Sequence, residues 1–148
     1  MNYEYKYENE ISALLSFKGK KVTGLFVSGC DHYMKIEIEN TDSVIFVTDE
    51  DCCSETWFAD VLDADEFVGG ILGENPLEPT EGFGDPEDGR CRQDEDAIYG
   101  FNLISNKGMC KVAFRCSSNG YYGGDMRICH KEYGFDPVWI RIENEWSA

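Results

Sequence analysis

Basic residues are scarce in this chain of 148 residues: 13 lysines and arginines stand against 29 aspartates and glutamates, a formal charge of −16. That balance repels phosphate backbones and anionic lipid, so direct binding to DNA, RNA or a membrane is disfavoured. No apolar run nears the ~20 residues of a bilayer-crossing helix, and residues 1–6 carry no basic stretch leading into an apolar one. The expected location is therefore the cytoplasm. No two of the seven cysteines have Cys-x-x-Cys spacing, so no metal site is expected. Their odd number and the missing export signal favour reduced thiols over a disulfide framework.

Chemistry-bearing loops are missing too. The glycines Gly120, Gly123 and Gly124 lie between strand-like segments and open no helix, which removes the usual phosphate cradle. The run Asp85-Pro86-Glu87-Asp88-Gly89 has acids and a glycine without the spacing of a calcium loop. Carboxylates are so abundant that an acid–base pair could be drawn almost anywhere, which makes none of them specific. No cofactor is expected.

The acidity itself is concentrated. Residues 49–96 hold 17 acids against two arginines and no lysine, a local charge of −15. A hydrophobic fraction of 42% and an aromatic fraction of 14% are still ample for a folded core. At this length one domain, residues 1–148, is expected.

Local patterns suggest the elements. Asn9 can cap a short helix carrying Ile11, Leu14, Leu15 and Phe17, with Gly19 at its end. Val22, Leu25 and Val27 begin a strand, and Met34, Ile36 and Ile38 alternate with Lys35, Glu37 and Glu39 as a half-buried strand does. Asn40-Thr41-Asp42 is turn chemistry, and residues 43–48 complete a three-stranded meander. Asp63 can cap a turn of helix closed by Gly69-Gly70, and Ile71-Leu72 can open another strand. Residues 74–96 hold three of the four prolines and read as a long mobile acidic loop. Residues 98–104 and 109–116 form a hairpin about residues 105–108, with Val112, Phe114 and Cys116 inward and Lys111 and Arg115 outward. The expected fold is α+β: a mainly antiparallel sheet, a short N-terminal helix on one face, and the acidic loop projecting from an edge.

Several pieces recur in order: Leu15 with Gly19-Lys20-Lys21-Val22, then Asp51-Cys52-Cys53, an Asp-rich stretch over residues 60–71, and Ser118-Asn119-Gly120-Tyr121-Tyr122. In these the chain resembles a family of small bacteriophage proteins of unknown function, over residues 15–130. The resemblance implies a phage origin, hence a host-cell cytoplasm, and little chemistry.

Two patches carry the functional expectations. The first is acidic: Asp49, Glu50 and Asp51; Asp85, Glu87 and Asp88; Asp94, Glu95 and Asp96. Crowded carboxylates either keep a solvated loop soluble or imitate a phosphate backbone and occupy a basic cleft. The second is aromatic, Tyr121 and Tyr122, which either rest on the sheet or form a contact patch. The leading expectation is a non-enzymatic phage protein docking on a basic host protein, a nucleic-acid-handling defence factor. An alternative is a nucleotide-sequestering protein, with Tyr121 and Tyr122 stacking beside Lys107, Lys111, Arg115 or Arg127. An enzyme of unknown class is a further alternative, with Cys52 or Cys53 and His32 or His130 as a thiol–imidazole pair in surroundings too acidic to favour a thiolate.

Overall fold

The computed structural model describes residues 7–49, 54–84, 95–118, 125–129 and 137–148; the side chains of Glu95, Asp96 and Ser118 lie outside that description. The helix α1 spans Glu8–Leu15. The strands are β1 (Val22–Ser28), β2 (Tyr33–Ile38), β3 (Val44–Asp49), β4 (Ser54–Leu62), β5 (Leu77–Glu81), β6 (Glu95–Ser105), β7 (Gly108–Ser118), β8 (Asp125–Ile128), β9 (Trp139–Arg141) and β10 (Trp146–Ser147). They form two five-stranded antiparallel sheets, in the orders β8-β3-β2-β1-β9 and β10-β4-β7-β6-β5.

The meander β1-β2-β3 forms as its period of two requires, with Met34, Ile36 and Ile38 buried and their neighbours partly exposed. The inner faces of both sheets share one core. Phe46 of the first sheet meets Phe101 of the second at 6.2 Å between ring centres, and Tyr99 stacks on Phe114 at 5.0 Å. Helix α1 lies against β3 and β8 of one sheet and β5 of the other, so it fills the side between two edge strands instead of covering one face. Tyr7, in a left-handed conformation, occupies the cap position expected for Asn9 and buries its ring 5.4 Å from Phe101.

Two expectations are corrected. Residues 74–96 are not loop throughout, because Leu77–Glu81 pairs with β6 as an edge strand. Pro79 is tolerated there since an edge has one side that needs no ladder hydrogen bond. Residues 85–94 of that stretch lie outside the described set. The second correction concerns β7, where Arg115 is only 1% exposed and every residue from Val112 to Ser117 is buried. The cause is a crossing segment. Residues 81–84 leave β5 and run over the outer face of their own sheet, with Glu81 and Gly82 on Gly100 of β6, and Gly84 beside the Asp60 carboxylate on β4. Passing from β6 to β4 takes the backbone across β7. Gly100 pairs with Ala113 and Ala113 with Asp60, so small side chains floor the track.

Asp63 takes a left-handed conformation ahead of a single 3₁₀ turn, Ala64–Glu66, and makes no side-chain cap. Ile71 contributes one isolated bridge, to Lys21, and no strand. No described helix is long and apolar enough to cross a membrane.

Candidate functional site

Of the acidic positions singled out from sequence, Asp49 ends β3, exposed, with its carboxylate 3.9 Å from the Arg127 guanidinium. Glu95 and Asp96 open β6 in the other sheet, opposite Ser118 and Ser117. Glu50, Asp51, Asp85, Glu87, Asp88 and Asp94 lie outside the described residues, as do Tyr121 and Tyr122.

The structure assembles a different acidic cluster, from residues distant in sequence. The end of β4 and the 3₁₀ turn supply Asp60, Asp63, Asp65 and Glu66. The C-terminal segment bearing Glu143 and Glu145 is tied beside them by the Ala64 amide donating to the Asn144 carbonyl at 2.9 Å and by β10 pairing with β4. Ser147 Oγ donates to Asp60 Oδ1 at 2.8 Å, which fixes that carboxylate. The other five carboxylates are exposed, and none of the six pairs with a cation among the described residues. Lys107 donates instead to the carbonyls of Asp65 and Val68, where it satisfies the end of the turn. The cluster's field reaches inward. The Cys110 thiol is pushed up to about 12, first by burial and then by the Asp63 charge. Asp60 thus sits on a paired strand, while Asp63, Asp65 and Glu66 stand at the cap position of a hydrogen-bonded turn or within it. Sequence reading treated Asp63 and its neighbours as helix-capping residues, and nothing local announced that Glu143 and Glu145 would join them.

The cations proposed around a nucleotide are not brought together. Arg115 is buried with its guanidinium carbon 5.7 Å from the Trp57 ring centre, Lys107 is held by the turn, and Arg127 belongs to the other sheet. His32 Nδ1 lies 2.9 Å from the Thr56 carbonyl, which can only accept, so Nδ1 is the donor of that hydrogen bond. Cys30 Sγ is 3.3 Å from Ser28 Oγ. Among the described residues no three of His, Cys, Asp and Glu converge as metal ligands; Cys52, Cys53 and His130 lie outside them.

Cations gather instead on the outer face of the first sheet. Two lateral rows cross all five strands there. One runs Arg141, Phe26, Lys35, Ile45 and Cys129; the next runs Trp139, Ser28, Tyr33, Val47 and Arg127. Lys35 Nζ lies between two rings, 4.5 Å from the centre of Phe26 and 4.8 Å from that of Trp139. Arg141 sits 4.6 Å from the Phe26 ring, which itself lies over Gly24. Burial raises the Tyr33 pKa, helped by Cys129 and Cys30 and opposed by Arg127.

A sandwich-like pair of antiparallel sheets with an acidic end and a cationic outer face defines the class of protein. The model of DUF7448, a domain of unknown function, matches residues 15–128, and the chain belongs to that family. Neither a curated protein nor a solved structure matches the chain.

Proposed function

We propose that this is a non-enzymatic binding protein whose carboxylates dock on a basic surface of another protein. The observation that carries this reading is the localised charge of −15 over residues 49–96, part of which stands at the end of a paired strand and on the hydrogen-bonded turn that follows it, at Asp60, Asp63, Asp65 and Glu66. Fixed carboxylates lose little freedom when they meet a cationic cleft, and complementary fields speed encounter by roughly 10- to 1000-fold at low salt. The resemblance to phage proteins supports a host protein as the target, and one that handles nucleic acid in host defence presents the basic cleft such a surface fits.

Capture of partners from host lysate at low and high salt tests the reading. Two variants divide the surface: one carries Asn and Gln at Asp60, Asp63, Asp65, Glu66, Glu143 and Glu145, the other at the clusters about Asp49, Asp85 and Asp94. Capture should fall in at least one of them and lose its salt dependence. Capture unchanged in both, with folding intact by circular dichroism, removes the proposal.

A further inference from the structure

The two rows on the outer face of the first sheet hold three cations and three aromatic residues at ten positions, and no carboxylate. In a chain of charge −16 that is the reverse of the surrounding composition. The nearest acids on this face, Glu37 on one side and Asp49 and Asp125 on the other, fall in the flanking rows. Ser28 and Val47 are buried, so the accessible part is the row from Arg141 through Lys35, with Trp139 and Arg127 at the ends of the other.

We propose that this band binds single-stranded nucleic acid laid across the strands, with phosphates on Arg141, Lys35 and Arg127 and bases stacking at Trp139. Three observations favour this occupant. Lys35 is held by rings rather than by a carboxylate, wedged between Phe26 and Trp139, and Arg141 rests on Phe26 as well as lying 4.0 Å from Glu37. The Lys35 charge is thus left for a ligand and both side chains are already ordered. The exposed arginines do have acidic neighbours, Glu37 at 4.0 Å and Asp49 at 3.9 Å, but pairs with side chains 40–57% exposed are weak and exchange readily. The cations also run the width of five strands, about 19 Å, which suits an extended strand better than one mononucleotide. A flat face that interleaves cations with rings uses unstacked bases, and duplex DNA offers none. Acids elsewhere on the molecule are screened beyond about 8–10 Å at moderate salt, so they oppose the ligand chiefly at low ionic strength. The expectation against nucleic acid followed from net charge and from the acidic segment; this face lies outside that segment except at Asp49 in a flanking row.

Fluorescence anisotropy of a labelled oligothymidylate of about eight nucleotides, titrated with the full chain, reads the proposal. Saturable binding is expected, weakening about 20-fold between roughly 50 and 200 mM salt, as three phosphate contacts require. Lys35→Gln should lower the logarithmic salt slope by about 0.7. Trp139→Ala should weaken binding about tenfold. Should that change disturb the short strand β9, Arg127→Gln on the opposite edge supplies the same slope test. Lys111→Gln, exposed on the other sheet, should leave the affinity unchanged. No anisotropy change, equal losses from Lys111→Gln and Lys35→Gln, or polyglutamate competing as well as the oligonucleotide would each overturn the proposal. The last result would assign the band to an acidic protein segment.

Discussion

The crossing of residues 81–84 over their own sheet rests on Gly100, and replacing that glycine by alanine probes it directly. A Cβ there would lie 2.5 Å from the Glu81 carbonyl oxygen, 2.9 Å from its carbon and 3.2 Å from the Gly82 Cα. Ordinary contact begins near 3.4 Å, so the shortfall against the oxygen is about 0.9 Å, and all three neighbours are backbone. Either the crossing segment lifts or β5 shifts on β6. Overpacking of this kind costs about 1–3 kcal/mol. Alanine also restricts the unfolded chain, which offsets about 0.4–1 kcal/mol because Gly100 does not have a positive φ. The net loss is about 1–2 kcal/mol, a fall in Tm of about 3–6 °C for a chain of this size. Gly73, with nothing within 4 Å of its added Cβ, is the control, and Gly73→Ala should melt at or slightly above the parent temperature. Calorimetry reads both. Limited chymotrypsin digestion adds a local probe, since Phe83 is half-buried within the crossing and should be cleaved faster in Gly100→Ala. If Gly100→Ala melts with the parent and is cleaved no faster, the crossing is not seated as described.

Two further outcomes test the interior. Phe101 is fully buried against Tyr7, Phe46 and Phe114, so Phe101→Ala should destabilise by about 3–5 kcal/mol, read as a shift of the urea midpoint with little change in slope. Cys110, with its pKa pushed up to about 12, should resist iodoacetamide at neutral pH while exposed Cys30 reacts, as mass spectrometry of digests would show. A raised thiol pKa means that the folded state keeps a proton the unfolded chain loses. Its contribution is therefore complete below about pH 8.5 and declines as pH rises toward 12, so thermal stability should fall over that window and fall less in Cys110→Ala.

Much of the first sheet was legible because its strands are local and half-exposed. The alternation through Met34, Ile36 and Ile38 fixes one strand, and Asn40-Thr41-Asp42 turns the chain into the next. The family resemblance likewise ran over nearly the span that the family model matches. The second sheet was harder to read. Pro79 and three nearby acids hid β5, whose pairing with β6 is made with residues some twenty positions away. Arg115 looked like an outward residue because its charge normally demands water, yet it is buried beside Trp57 on the face that residues 81–84 cross. The acidic end and the cationic band share a further cause. Each is assembled from strands far apart in sequence, as Asp60 with Glu143, or Phe26 with Lys35 and Trp139, so no local window contains either.

The seam closed by α1 bears on how the family builds its members. Residues 15–128 hold most of both sheets, yet Tyr7, Leu14 and Ile142, which complete the core, fall outside that interval. A relative sharing only the matched interval would leave Phe101 and Phe114 open to solvent along one flank. Such a protein must recruit another lid, and swapping the terminal pieces between relatives should change stability while leaving the matched sheets in place.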